Sequence, residues 1–174
     1  AASDVYKRQL HTALWKLQHL PEDFLWDAPP SQLIDVQRGG VHQLAAAGYS
    51  HTVLVRDDGV AVAFGHDCEG CCSVPELPAG RRYVAAAAGH SHTVLLRDDG
   101  EVEAFGHGYE GRCCVPKLPT GRRYVAVIAG EHHTVLLRDD GAAVAFGLDS
   151  DGQCRVPKLP ADRRYVAAAA GYSH

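Results

Sequence analysis

Methionine is absent from this chain of 174 residues, even at its first position, and tryptophan occurs only twice. The missing methionine predicts that the sequence is a piece of a longer protein. No apolar run approaches the roughly 18 residues that suggest a membrane-spanning helix, so no membrane association is expected. No charged-then-apolar leader opens the chain, so the sequence gives no support for secretion.

The chain also lacks an excess of positive charge and a dense set of cysteines. Its net charge of −4 gives no electrostatic reason to expect a nucleic-acid partner. Six cysteines in this length do not make a disulfide scaffold, which favours a reducing compartment, the cytoplasm or the nucleus. A hydrophobic fraction of 46% with 22% charged residues is typical of a globular protein.

What the sequence does have is a repeat with a period of 41 residues. Glycines, histidines, Asp-Asp-Gly triplets, Phe-Gly pairs, Val-Pro-x-Leu-Pro connectors and Arg-Arg-Tyr-Val segments all recur in one register. Self-similarity at such a period predicts a repeat architecture. The positions predicted to be structural are Gly48, His51, Gly59, Phe64, Gly89, His92, Gly100, Phe105, Gly130, His133, Gly141 and Phe146.

The repeat divides the chain into three parts. Residues 1–9, AASDVYKRQ, resemble translated adapter read-through and are predicted to be a non-native leader. Residues 10–40 are predicted to hold a short amphipathic helix over 10–20, from leucines at helical spacing, and a degenerate repeat. Residues 41–174 hold the recognisable units, which start at Gly48, Gly89 and Gly130, with a further unit truncated after Gly171.

Each unit reads as a run of short strands. Residues 92–97 form a β-branched and apolar run, which Asp-Asp-Gly at 98–100 ends with a hairpin signal. Residues 101–105 then alternate polar with apolar side chains, as a strand does. The alanine-rich run at 83–88 is too short for an independent helix and lies between a proline-containing connector and a glycine turn. It is therefore predicted to be a strand.

Strand direction predicts which side chains share an edge of the sheet. The strand after Arg81 and Arg82 runs to the Gly89 turn, and the next strand returns to Asp98 and Asp99. These arginines and aspartates should therefore lie on one rim. The Gly-x-x-His turns and the loops after each Phe-Gly should lie on the other.

Three strands and an extended connector make a sheet that cannot bury both of its faces alone. The connector is a candidate for a fourth, edge strand, where proline is tolerated. Stacking the copies buries their faces, and antiparallel hairpins at a period near 40 residues favour a propeller over a solenoid. The predicted fold is all-β: an open, partial β-propeller of about three to four blades, each a meander of three or four strands.

Several motifs in one register resemble a known family. Ala-Ala-Gly-x-x-His-Thr-Val-Leu-Leu-Arg-x-Asp-Gly, Ala-Phe-Gly and Gly-Gln-Cys (152–154) are similar to the regulator-of-chromosome-condensation repeat, over about residues 41–174. The Val-Pro after each Gly-x-Cys also resembles the repeats of a bacterial β-lactamase-inhibitor propeller. The first resemblance implies a seven-bladed ring, of which this chain would supply about half. Phenylalanine replaces the family's usual tryptophan and the units are short, which weakens any transfer of the founding nuclear protein's exchange activity.

The predicted function is a protein-interaction scaffold, with no enzymatic activity and no cofactor. The alternatives implied by the resemblance are part of an exchange factor for a small GTPase, or the partner-binding part of a HECT-type ubiquitin ligase whose catalytic domain is not in this sequence. Variation between units falls in the first loop (66–73), the second loop (107–114) and the third loop (148–155), where binding tends to sit. The candidate partner-binding residues are His66, Asp67, Glu69, His107, Tyr109, Glu110, Asp149 and Asp151.

The recurring histidines and cysteines are predicted to be structural. A histidine at the same place in every unit suits a hydrogen bond that fixes a turn, because buried polar groups find partners. Cys72, Cys113 and Cys154 are predicted to pack in the core as small hydrophobic side chains. No catalytic nucleophile with a matched base is apparent.

The first loop invites a second interpretation. His66, Cys68, Cys71 and Cys72 lie within seven residues and include a Cys-x-x-Cys pair, a spacing that can bind zinc. No second Cys-x-x-Cys follows, however, and Cys72 is expected in the core. A decorated loop without metal is therefore the preferred prediction, and a zinc loop is the alternative.

Overall fold

The computed structural model describes residues 44–171, which form three antiparallel sheets of three strands each, every one a meander. Over these residues the prediction of an all-β fold of open, repeated sheets is confirmed. The first sheet consists of β1 (Ala45–Ala47), β2 (His51–Val55) and β3 (Ala61–Gly65); the second of β4 (Tyr83–Ala88), β5 (His92–Arg97) and β6 (Val102–Gly106); the third of β7 (Tyr124–Ala129), β8 (His133–Arg138) and β9 (Ala143–Gly147).

The alanine-rich run at 83–88 is a strand, as predicted, and so are its equivalents at 45–47 and 124–129. Strand β4 pairs with β5, and Ala88 lies opposite Thr93. A bulge between Tyr83 and Ala85 shifts the register, and an equivalent bulge occurs in β7. The β5–β6 hairpin turns at Gly100, whose φ of 86° is the left-handed conformation that favours glycine. Pairing with a neighbouring strand therefore overrides the intrinsic preference of alanine for helix.

The sheets pack face to face, so both faces of the second sheet are buried. Ala86 and Leu95 pack with Val53 of the first sheet. Leu96, on the opposite face of β5, packs with Leu136 of the third sheet. All these side chains are almost fully buried, and their alternation along the strand follows the period of two. Each seam between sheets is thus an apolar core shared by two repeats.

The residues that line each seam change from the first strand of the sheet to the third. The alanine-rich first strands β1, β4 and β7 contact one another in order. The connector packs Val74 and Leu77 into the first seam, beside Ala63 and Phe105 of the third strands. Small side chains thus line the seam at its first strands, and an additional layer of chain fills it at its third strands. Small side chains at one side of the seam and an extra layer of chain at the other suit the packing of propeller blades.

The connector is not a fourth strand in the described residues. It is held instead by a tyrosine hydroxyl: Tyr83 donates to the carbonyl of Pro75 at 3.3 Å, and Tyr124 donates to that of Pro116 at 3.1 Å. Proline removes ladder donors from this segment, and side-chain packing into the seam replaces strand pairing. The unit is therefore a three-stranded meander.

The two rims are composed as strand direction predicts. Arg81 Nε lies 3.3 Å from Asp99 Oδ2 on the hairpin rim, which carries the Asp-Asp-Gly turns. Arg122 repeats this contact with Asp140 at 3.6 Å. The opposite edge, here called the loop rim, carries the Gly-x-x-His turns and the three loops.

Several predictions lie outside the described residues: the leader at 1–9, the helix and degenerate repeat at 10–40, and His174. The fourth alanine-rich run, at 165–170, is described and forms no strand. Within residues 44–171, no helix has the length and hydropathy needed to cross a bilayer.

Candidate interaction rim

The recurring histidines His51 and His92 each reach across a seam into the next sheet. His51 Nε2 lies 2.9 Å from Thr93 Oγ1, and Thr93 donates its hydroxyl proton to the carbonyl of Cys71 at 2.7 Å. Because that hydroxyl has only one proton, His51 must be the donor in the first bond. His92, Thr134 and the carbonyl of Arg112 repeat the arrangement at 3.0 and 2.9 Å. This His–Thr clasp joins the histidine turn, the next sheet and the loop between them.

The clasp histidines are buried and neutral. Burial, with the nearby positive charge of Arg112 as a smaller cause, lowers the pKa of His92 to about 3. Its Nδ1 has no hydrogen-bond partner among the described residues, so a proton there would be an unsatisfied buried charge. Burial lowers the pKa of His51 as well. Both rings lie inside the fold, each bonded to the next sheet.

Thr134→Val should destabilise the protein by about 2–5 kcal/mol, because the buried His92 N–H and Arg112 carbonyl both lose their partner. The change conserves volume, so packing contributes little of the effect. Urea denaturation followed by circular dichroism measures it. Thr134→Ser keeps the hydroxyl and is the control. Equal midpoints for the valine and serine variants would show that the clasp does not stabilise the fold.

The variable positions of the Gly-x-x-His turns come together on the loop rim. The Tyr49 ring stacks on His90, with ring centroids 4.3 Å apart and planes 15° apart. His90 in turn lies 5.6 Å from the ring of His132, which adjoins Glu131. Tyr49, His90, Glu131 and His132 are called the turn patch. Sequence reasoning passed over this patch; the signal available was that these positions vary between an invariant glycine and an invariant histidine.

A buried cation supports the turn patch. Arg112 is 2% exposed, and its Nη1 donates to His132 Nδ1 at 2.9 Å. Burial, together with this positive charge, lowers the pKa of His132. The neutral ring then carries its proton on Nε2, which lies 3.3 Å from Glu131 Oε1. The second loop and the third histidine turn are thereby fixed to each other.

The three loops lie on the same rim as the turn patch. Backbone hydrogen bonds tie them to the turns: His66 to Ser50 at 2.9 Å, and His107 to Ser91 at 2.8 Å. Glu69 reaches His107 of the following unit at 3.5 Å. The predicted binding residues are thus brought onto one surface: His66, Asp67, Glu69, Tyr109, Glu110 and Asp151 are exposed, and His107 and Asp149 are half-buried.

The cysteines differ from prediction. Cys71 is fully buried, whereas Cys72, Cys113 and Cys154 are only half-buried. The reason is the clasp, which binds the carbonyl of Cys71 and draws that residue into the seam. In the first loop, ligand atoms of Asp67, Cys71 and Cys72 lie within 4.8 Å of one another.

The remaining two residues of the predicted zinc loop form a pair of their own. Cys68 Sγ lies 2.7 Å from His66 Nδ1. The structure therefore gathers Cys71 and Cys72 with a carboxylate that the sequence-based set omitted.

Three stacked antiparallel meanders form consecutive blades of an open, partial β-propeller. No protein-family profile and no curated protein matches the sequence. Solved structures do match. Human WBSCR16 aligns with a TM-score of 0.56 and 22% identity, over 66% of this chain and 37% of its own.

Prp20p from Saccharomyces cerevisiae aligns with a TM-score of 0.55 and 19% identity, over 66% of this chain and 34% of its own. The receptor kinase CR4 ectodomain of Physcomitrella patens aligns with a TM-score of 0.53 and 18% identity, over 73% of this chain and 32% of its own. The chain spans about a third of the length of these structures. Its fold is that of the RCC1-like propeller repeat, as the motifs predicted.

Proposed function

We propose that this chain is a non-catalytic binding module that presents its loop rim to a protein partner. The main support for this proposal is the location of the residues that differ between repeats. The clasp residues and strands recur from unit to unit inside the seams. The turn patch and the three loops change, and apart from Cys71 and Arg112 their residues are exposed or half-buried. A rigid frame with variable exposed residues on one edge is the arrangement of a binding surface.

The charge on the loop rim favours a partner with a basic surface. Two arginines offset its carboxylates in part, and one of them, Arg112, is buried. On the loop rim Arg112 pairs with Glu110 and Arg155 with Asp149, which leaves the other four carboxylates in excess. On the hairpin rim arginines are paired with aspartates. Exposed Tyr49 and Tyr109 add the aromatic groups that are enriched at interfaces. The carboxylates of the loop rim are Asp67, Glu69, Glu110, Glu131, Asp149 and Asp151, and the arginines are Arg112 and Arg155.

Relatives in fold accommodate protein partners. Prp20p binds Gsp1p and histones, and Prp20 has been solved with Kap60 bound to it. The chain shares only the fold with them, so those partners do not transfer to it. All six cysteines are free thiols, which supports a place in a reducing compartment, the cytoplasm or the nucleus.

Variants on the loop rim test the proposal. Tyr49→Ala/His90→Ala and Glu69→Lys/Asp151→Lys should each lower the capture of partner proteins at least about tenfold, measured by cross-linking and quantitative mass spectrometry. Capture should also weaken as salt rises. Lys117→Ala, an exposed change on a connector, is the control. Undiminished capture by both loop-rim variants would contradict the proposal.

A nucleotide-release assay tests the proposed absence of catalysis. The chain should leave the rate of nucleotide release from small GTPases unchanged. Acceleration of that release would replace the binding-module proposal with an exchange factor. Nothing in the described residues favours the ubiquitin-ligase alternative over the binding module or the exchange factor.

A further inference from the structure

We propose that Asp67, Cys71 and Cys72 form a binding site for a thiophilic divalent metal ion, Zn²⁺. This inference does not depend on the proposed function. The ligand atoms of the three residues already lie within 4.8 Å of one another. Thiolate sulfur and carboxylate oxygen are donors that Zn²⁺ accepts, and three protein ligands with a solvent molecule complete its tetrahedral coordination. Asp67 is exposed, so solvent can reach the fourth position.

The fold holds these ligands in place. The carbonyl of Cys71 accepts the Thr93 hydroxyl at 2.7 Å, and the Cα of Cys71 lies close against Gly106 of the next blade. Asp67 Oδ1 accepts the Cys72 N–H at 2.8 Å, which orients the carboxylate and leaves its second oxygen for a metal. A chelate anchored to the seam in this way needs little ordering on binding.

The site is particular to the first loop. In the third loop, Asp149 Oδ1 accepts the Cys154 N–H at 3.0 Å, so the same carboxylate–cysteine frame recurs. The position of Cys71, however, is occupied by Arg112 in the second loop and by Gln153 in the third. Only the first loop combines the frame with a second thiol, and the other two serve as internal controls.

The neighbouring thiol lies outside the proposed ligand set. Cys68 Sγ is engaged by His66 Nδ1 at 2.7 Å, and this pair is not part of the group whose ligand atoms converge. The ligand set is therefore Asp67 with two adjacent cysteines, not the Cys-x-x-Cys pair at 68 and 71. A metal in this position would tie the start of the first loop to its buried end.

Metal analysis of the reduced, purified chain tests the proposal. After loading with Zn²⁺ and desalting, about one zinc per chain should remain, and Co²⁺ in its place should give thiolate-to-cobalt charge-transfer absorption. Competition with a chromophoric chelator should show at least about tenfold weaker binding for Asp67→Asn, Cys71→Ser and Cys72→Ser. Asp67 is exposed and Asn keeps an acceptor oxygen for the Cys72 N–H, so this variant should remain folded and its result decides the question.

Three further variants complete the experiment. Cys68→Ser, Cys113→Ser and Cys154→Ser should bind Zn²⁺ as the unaltered chain does. The proposal is overturned if the chain retains no zinc, or if Asp67→Asn binds it undiminished. Loss of binding in Cys68→Ser would also overturn the proposed ligand set.

Discussion

Replacing Gly89 by alanine should lower the free energy of unfolding by about 4 kcal/mol, one of the largest effects expected of a single change. A Cβ at this position would lie 2.2 Å from His92 Cε1 and 2.5 Å from the backbone oxygen of Gly130. The backbone oxygen cannot rotate away, and the ring is held by its bond to Thr134. The glycine is required for space, since its φ is not in the left-handed region.

Urea denaturation of Gly89→Ala and Gly108→Ala checks this prediction. Gly108 has a φ of −84°, and a Cβ there would meet nothing within 4 Å, so its substitution should change stability by no more than about 0.5 kcal/mol. Gly48 and Gly130 have the same crowded surroundings as Gly89 and should behave like it. Similar midpoints for the variants at 89 and 108 would show that the turns have room to relax.

The strands and rims could be predicted because their signals are local. Asp-Gly turns at Gly100 and its equivalents set the hairpins, and the period of 41 residues carried the strand assignments of one sheet over to the other two. Strand direction then placed Arg81 and Asp99 on the same rim without any knowledge of side-chain contacts. Stacking followed because a three-stranded sheet cannot bury both of its faces alone.

The contacts between blades could not be predicted in the same way. His51 and Thr93 are 42 residues apart, and their bond depends on how closely two sheets pack. A recurring His-Thr dipeptide was visible, but the local pattern indicated only a turn. The same holds for the stacking of Tyr49 on His90, and for Cys71, which the seam buries although periodicity pointed to Cys72.

Mild acid should destabilise the protein through the buried clasp histidines. The pKa of His92 falls from an unfolded value near 6.5 to about 3 in the fold, because burial disfavours its charged form. Below pH 6.5 the unfolded chain therefore binds a proton that the folded chain does not. The stabilisation from this group is complete above pH 6.5 and is lost as the pH falls toward 3. The free energy of unfolding should therefore have dropped by about 2 kcal/mol at pH 5 and by about 3 kcal/mol at pH 4.

Urea midpoints at pH 7.5, 6, 5 and 4 measure the loss, and His92→Gln identifies its source. Glutamine can still donate to Thr134 but does not titrate, so the variant should be less stable at pH 7.5 and lose less between pH 7.5 and 5. Paired carboxylates affect stability at lower pH than the histidines do. Arg138, for example, lowers the pKa of Asp140 to about 2, so the stabilisation from Asp140 is lost only below pH 4. The pKa of His51 is also lowered by burial, so the stability of the His92→Gln variant should still fall somewhat as the pH is lowered. A variant with the full slope of the unaltered chain would exclude His92 as the acid-sensitive group.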